Sequence, residues 1–130
     1  MSTAADTLVI AVDGTSGSGK SSTSRAVAAR LGLRYLDTGA MFRAMTWWML
    51  DRGIDTADTA AVAAVVHHPR IESGTRPDAP TITVDGRDVS VEIRGEEVTA
   101  AVSPVSAVPE VRAVLLGLQR EVIGDGGIVV

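Results

Sequence analysis

Three features of this 130-residue chain predict an α/β fold: a parallel sheet with helices on both faces, plus a small antiparallel β insertion. Residues 8–12, Leu-Val-Ile-Ala-Val, form a continuous apolar run, the pattern of a central strand covered on both faces. A Gly-rich turn and a helical stretch follow, and the strand–helix order repeats before Gly53, as right-handed crossover units require. Further on, Thr81-Ile-Thr-Val84 and Arg87-Asp-Val89 flank Asp85-Gly86, the two-residue turn of a β-hairpin.

The first helix is expected over residues 20–31, with Gly32 at the C′ position. Residues 34–37 read as a second short strand and residues 39–52 as a helix ended by Gly53. Residues 58–66 form a short Ala/Val-rich helix, and the polar, proline-containing stretch 67–80 is expected as loop. Helical sequence resumes near Glu96. Pro109 at the first helical position then opens a longer helix, whose apolar stripe is Val111, Val114, Leu115, Leu118 and Val122. Gly124-Asp-Gly-Gly127 turns into Ile128-Val-Val130, the opening of another buried strand. The expectation is one incomplete core over residues 1–130.

Composition narrows the function classes. Hydrophobic residues make up 45% and charged residues 22%, which fits a globular protein and not a disordered one. With no cysteine there is no disulfide framework. A net charge of -4 and only four aromatics (Tyr35, Phe42, Trp47 and Trp48) argue against a nucleic-acid partner. The N-terminus has no basic segment, and the apolar stretch 44–50 is too short for a membrane span. A cytoplasmic protein without membrane or nucleic-acid partners is expected, acting as a monomer. The twelve basic residues are eleven Arg and one Lys, Lys20, which points to a place where a compact ammonium is needed and a planar guanidinium is not.

That lysine lies in a motif. Gly14, Thr15, Ser16, Gly17, Ser18, Gly19, Lys20 and Ser21 spell G-x-x-x-x-G-K-[ST], the phosphate-binding loop of P-loop NTPases. The glycines let successive backbone N–H groups turn inward around an anion, and the following helix presents its positive end. Lys20 would reach the β and γ phosphates of ATP, and the Ser21 hydroxyl can ligate Mg²⁺. An ordinary Gly/Ser turn is the plainer alternative. The strand before, the helix after and the sole Lys at the required position favour a nucleotide site.

A second group follows the second strand. Asp37 and Thr38 fall where a strand's carboxyl end meets a helix start, the ligand-binding edge of open α/β sheets. Thr38 can instead serve as the helix N-cap. Arg43, one turn on, can face the same crevice or form a surface ion pair.

In this order and spacing GTSGSGKSS, YLDTGAMFRA, VDGRDVSVEIR and PEVRAVLLGLQR resemble the bacterial cytidylate kinases of the nucleoside monophosphate kinase family, over essentially the whole chain. The resemblance implies transfer of the γ-phosphoryl group of ATP to CMP or dCMP, with Mg²⁺. It assigns the ATP phosphates to residues 14–22, ending at Ser22, and the acceptor phosphate to Thr38 and Arg43. Lys20 and Arg43 are then the expected catalytic residues. It also implies that Ser103 and Arg112 read the pyrimidine, and that residues 38–97 form the acceptor-binding insertion. From the residues alone, Ser103 is a helix-end hydroxyl before Pro104 and Arg112 a charge in a helix's first turn. The chain departs from the family pattern in having Phe42 where Tyr is usual and Ser21-Ser22 where Gly-Thr is frequent. The acidic-Gly-Arg-Asp segment and the lid that follow in the family lie beyond Val130. Another small-molecule P-loop kinase and a nucleotide-binding fragment without catalysis are the alternatives.

The remaining features read as structural. Trp47 and Trp48 are expected to pack under the insertion, His67-His68 to be solvated loop, and Glu92, Glu96 and Glu97 to be helix-start charges. Asp13 would orient the glycine loop.

Overall fold

The computed structural model describes residues 7–12 and 20–130, with the side chains of Lys20 and Ser21 outside that set. Strands β1 (Val9–Ile10), β2 (Arg34–Tyr35) and β6 (Ile128–Val129) form a parallel sheet in the order β1-β6-β2. Helix α1 (Lys20–Leu31) links β1 to β2, and α2 (Thr38–Asp51) leaves β2. Then come α3 (Thr59–Ala64), a second sheet of β3 (Ile71–Ser73), β4 (Ile82–Val84) and β5 (Arg87–Asp88), a 3₁₀ turn (Glu92–Arg94), α4 (Glu96–Ser106) and α5 (Pro109–Ile123).

Successive residues of a strand face opposite sides of a sheet, and β6 shows the consequence. Ile128 packs into the large core with α2 and α5, while Val129 packs into a smaller one with Ala28 of α1, Leu33 and Tyr35. Helices therefore cover both faces, as the apolar runs predict. The position of the first strand differs from expectation. Among the described residues β6 is central and β1 has one neighbour, and Val9 is 46% exposed. An apolar run states that a strand can be buried, not which neighbours it receives.

Helix ends follow the local sequence. The Leu33 N–H donates to Ala28 O at 2.9 Å and the Gly32 N–H to Ala29 O at 3.4 Å, the paired bonds of a Schellman end. Pro109 opens α5 as expected. Its other end is closed from a distance: Arg34 of β2 donates to Val122 O at 2.8 Å, Ile123 O at 3.1 Å and Gly126 O at 2.8 Å. Val122 and Ile123 are in the last turn of α5, where carbonyls have no partner within the helix, Gly126 lies in the turn just after it, and the guanidinium supplies three donors to them.

The hairpin forms at Asp85–Gly86, both at positive φ (50° and 83°), with Val84 opposite Arg87. It is not alone. Within the stretch expected as loop, β3 pairs antiparallel with β4, Ile71 opposite Val84 and Ser73 opposite Ile82. Three residues alternating buried, exposed and half-buried give too short a period to recognise between polar neighbours. Helix α2 is the hub of the large core. Met41, Ala44, Met45, Trp48 and Met49 are buried, and the helix packs against α4, α5 and the antiparallel sheet. Trp47 and Trp48 both reach loop or strand residues beyond α3: Arg87 stacks over Trp47 at 5.2 Å, and His68 meets Trp48 edge-on at 6.2 Å.

Candidate functional site

The parallel sheet places two chain exits side by side. Backbone bonds continue past β1 (the Val12 N–H to Val130 O, 2.9 Å) and past β2 (the Leu36 N–H to Val129 O, 2.9 Å). The chain therefore leaves β1 after Val12 at the same carboxyl edge where Asp37 and Thr38 follow β2, with β6 between the two exits. Two strand spacings separate the exits by ~10 Å. An open α/β sheet binds ligands at this edge.

Gly14, Thr15, Ser16, Gly17, Ser18 and Gly19, together with Asp13, lie outside the described residues. The backbones of Lys20 and Ser21 form the start of α1, and Ser22 is exposed in its first turn. A 12-residue helix thus begins where the motif ends, the arrangement that aims a helix dipole at a phosphate.

The second exit is built by short-range chemistry. Asp37 Oδ1 accepts from the Ala40 N–H at 3.0 Å, so Asp37 and not Thr38 is the N-cap of α2. A carboxylate one position earlier meets the first orphan amides better than the Thr38 hydroxyl, and Thr38 becomes the first helical residue, half-buried. The other Asp37 oxygen, Oδ2, lies 3.6 Å from Arg94 Nη2.

Arg43 forms no ion pair among the described residues. Its Nη1 donates to Ile93 O at 3.1 Å and to Thr99 Oγ1 at 3.0 Å. This arginine thereby joins α2 to the 3₁₀ turn and to α4. Two cations, Arg43 and Arg94, are gathered beside the start of α2. Arg94 escaped the sequence reading because one Arg among eleven, in a charged segment, carries no local signal; its partner is 57 residues away.

Ser103 lies exposed on α4 and Arg112 exposed in the first turn of α5. Among the described residues neither side chain makes a hydrogen bond or ion pair, so their polar groups are available to a ligand. Helices α4 and α5 pack against each other and against α2, which carries both residues on the framework that holds Arg43.

Two cavities lie near these groups. A small one, about 40 Å³, is lined by Asp37, Ser73, Thr81, Ser90 and Arg94, and the buried Ser73 Oγ has no hydrogen-bond partner among the described residues. A wider groove of about 630 Å³ is lined by Trp47, Asp51, Glu92, Glu96 and Glu97. Its charge is the wrong sign for a phosphate. His67 and His68 are exposed, and among the described residues no group of three or more His, Asp or Glu is placed to hold a metal. No single described helix is long and apolar enough to cross a membrane.

A parallel sheet flanked by helices, with a small antiparallel sheet and the sequence G-x-x-x-x-G-K-S between its first strand and first helix, defines the P-loop NTPase type of α/β protein. Residues 10–130 match the family model of cytidylate kinase, and the chain belongs to the cytidylate kinase family. The cytidylate kinase of Streptomyces avermitilis is 61% identical over 125 residues, covering 95% of this chain and 54% of the relative. That of Streptomyces griseus is 58% identical over 130 residues, covering 98% and 56%. That of Nocardia farcinica is 55% identical over 118 residues, covering 91% and 51%. The chain spans about half the length of these curated relatives.

Proposed function

We propose that this chain carries the nucleotide-binding machinery for transfer of the γ-phosphoryl group of ATP to CMP or dCMP, giving CDP or dCDP. The observation that carries the reading is the shared carboxyl edge: the motif with the only Lys leaves β1 there, and Asp37, Thr38 and the helix bearing Arg43 leave β2. The names of the relatives support CMP as acceptor.

In this reading residues 14–22 cradle the ATP phosphates and Lys20 neutralises charge as the γ-phosphoryl group moves. Thr38 and Arg43 hold the acceptor phosphate, Arg43 through a bidentate contact. Ser103 and Arg112 read the cytosine, whose O2 and N3 acceptors and amino donor suit a guanidinium and a hydroxyl. Ser21 would hold Mg²⁺ through its hydroxyl, an oxygen ligand of the kind that ion takes, and the ion would supply charge neutralisation at the phosphates. Phosphoryl transfer needs positioning and charge neutralisation more than a covalent nucleophile, and the assigned residues are of that kind. Residues 38–97 act as the acceptor-binding insertion and close over the substrate to exclude water. The protein acts as a monomer on free nucleotides in the cytoplasm, without a nucleic-acid or membrane partner.

The test is calorimetric titration with ATP and with CMP, UMP and AMP, beside an assay of acceptor-dependent ADP release with Mg²⁺. Binding of ATP and a preference for CMP are expected, with Lys20→Ala losing ATP. Equal binding of all three monophosphates, or turnover with AMP or UMP and none with CMP, would overturn the acceptor assignment. Binding without ADP release would leave a nucleotide-binding module in place of a kinase.

A further inference from the structure

The contact between Arg43 and Thr99 joins residues 56 apart in sequence and has a chemistry that goes beyond the assignment of Arg43 alone. Thr99 sits in the first turns of α4, exposed, with Oγ1 3.0 Å from Gly95 O and 3.0 Å from Arg43 Nη1. A hydroxyl has one proton and two lone pairs. Donated to the Gly95 carbonyl one helical turn back, that proton leaves the oxygen turned as an acceptor toward the guanidinium. Arg43 Nη1 gives its second proton to Ile93 O at 3.1 Å. Both Nη1 protons are thereby committed. Nε and Nη2 have no protein partner among the described residues. These two nitrogens share one edge of the planar group, the edge that pairs with two oxygens of one phosphate.

We propose that Thr99 is a positioning residue for acceptor binding: its hydroxyl, fixed by Gly95 O, sets the rotation of Arg43 so that the Nε/Nη2 edge stays free for a phosphomonoester. The inference rests on the assignment of the acceptor phosphate to Arg43. The Ile93 carbonyl by itself is one anchor, about which the guanidinium can still pivot. Thr99 is the second anchor and stops the pivot. Because Thr99 is exposed, its removal leaves no buried unpaired group, and the fold does not depend on it.

The test uses the 130-residue chain and NMR titration with CMP and with cytidine, which lacks the phosphate. Thr99→Val keeps shape and removes the hydroxyl; it is expected to weaken CMP about fivefold, the effect of one modest hydrogen bond, and to leave cytidine unchanged. Thr99→Ser, which restores the hydroxyl, is expected to recover CMP affinity to within about twofold. Arg43→Ala is the control on the underlying assignment. If it leaves CMP affinity at the wild-type value, or if the wild type binds no CMP, the acceptor assignment fails and Thr99 has nothing to position. If Arg43→Ala weakens CMP while Thr99→Val matches the wild type, the positioning role alone is overturned. Equal weakening of CMP and cytidine by Thr99→Val would overturn it as well, since only a general structural role loses both.

Discussion

Arg94 Nη2 lies 3.6 Å from Asp37 Oδ2 while Asp37 Oδ1 caps α2, so one carboxylate ties the helix start at the sheet edge to the segment that follows the antiparallel lobe. Its two jobs can be separated. Asp37→Asn keeps an N-cap acceptor and loses the ion pair; the Arg94 side chain is 61% exposed, and a loss below about 1 kcal/mol is expected. Asp37→Ala loses the cap too and should cost about 1–2 kcal/mol in chemical denaturation. Equal losses would mean that the cap contributes nothing.

Arg112→Ala should reduce the preference for CMP over UMP while leaving ATP affinity unchanged. Arg112 is exposed on α5 with no side-chain partner among the described residues, so its removal breaks nothing in the fold. Lost readout of one base edge would lower the CMP/UMP ratio by about tenfold, the effect of ~1.4 kcal/mol. An unchanged ratio in competitive titrations would remove Arg112 from base recognition.

Arg34→Lys should destabilise the chain even though the charge is kept. One ammonium cannot reproduce the planar fork that meets Val122 O, Ile123 O and Gly126 O. A loss of about 2 kcal/mol is expected, read as a lower urea midpoint with an unchanged slope. Stability equal to the wild type would show that water satisfies the end of α5 equally well.

Gly126→Ala should be more damaging. Gly126 has φ 102°, and an added Cβ would run into the carbonyl of Thr7, so backbone strain and a backbone clash coincide. A loss of at least about 2 kcal/mol is expected. Circular dichroism on heating measures it, and a neutral result would show that the segment before β1 can shift without cost.

Acidification should weaken the antiparallel lobe. The Ser90 hydroxyl, and then the Ser90 N–H at 2.8 Å, hold the Asp88 carboxyl below its ordinary 3.8. Hydrogen bonding by Arg76 does the same for Asp78. A lowered folded value means stability that is present above 3.8 and lost as pH falls through the folded value. Asp88→Asn should therefore flatten part of the stability loss as pH falls below 3.8; an acid slope identical to the wild type would remove Asp88 from that response.

Much of this molecule is legible residue by residue, because the signals are local. Residues 8–12 and 128–130 are apolar without interruption, Asp85-Gly86 suits a tight turn, Pro109 opens a helix, and the G-x-x-x-x-G-K-S spacing names a phosphate loop. Each depends on neighbours within a few positions, where backbone sterics and side-chain period act directly. The cap of α2 shows the limit of such reading: Asp37 and Thr38 are both good capping residues, and geometry chose Asp37. Where contacts cross the chain, the tertiary structure alone decided. It put β6 and not β1 at the centre of the sheet, recruited Ile71–Ser73 into a third antiparallel strand, and sent Arg34 to a helix end 88 residues away. It also turned Arg43 toward Ile93 and Thr99 in place of an acidic partner. The physical reason is the same in each case. An arginine or a short strand satisfies its hydrogen bonds with whatever packing brings near, and no period in the sequence encodes a partner fifty residues distant.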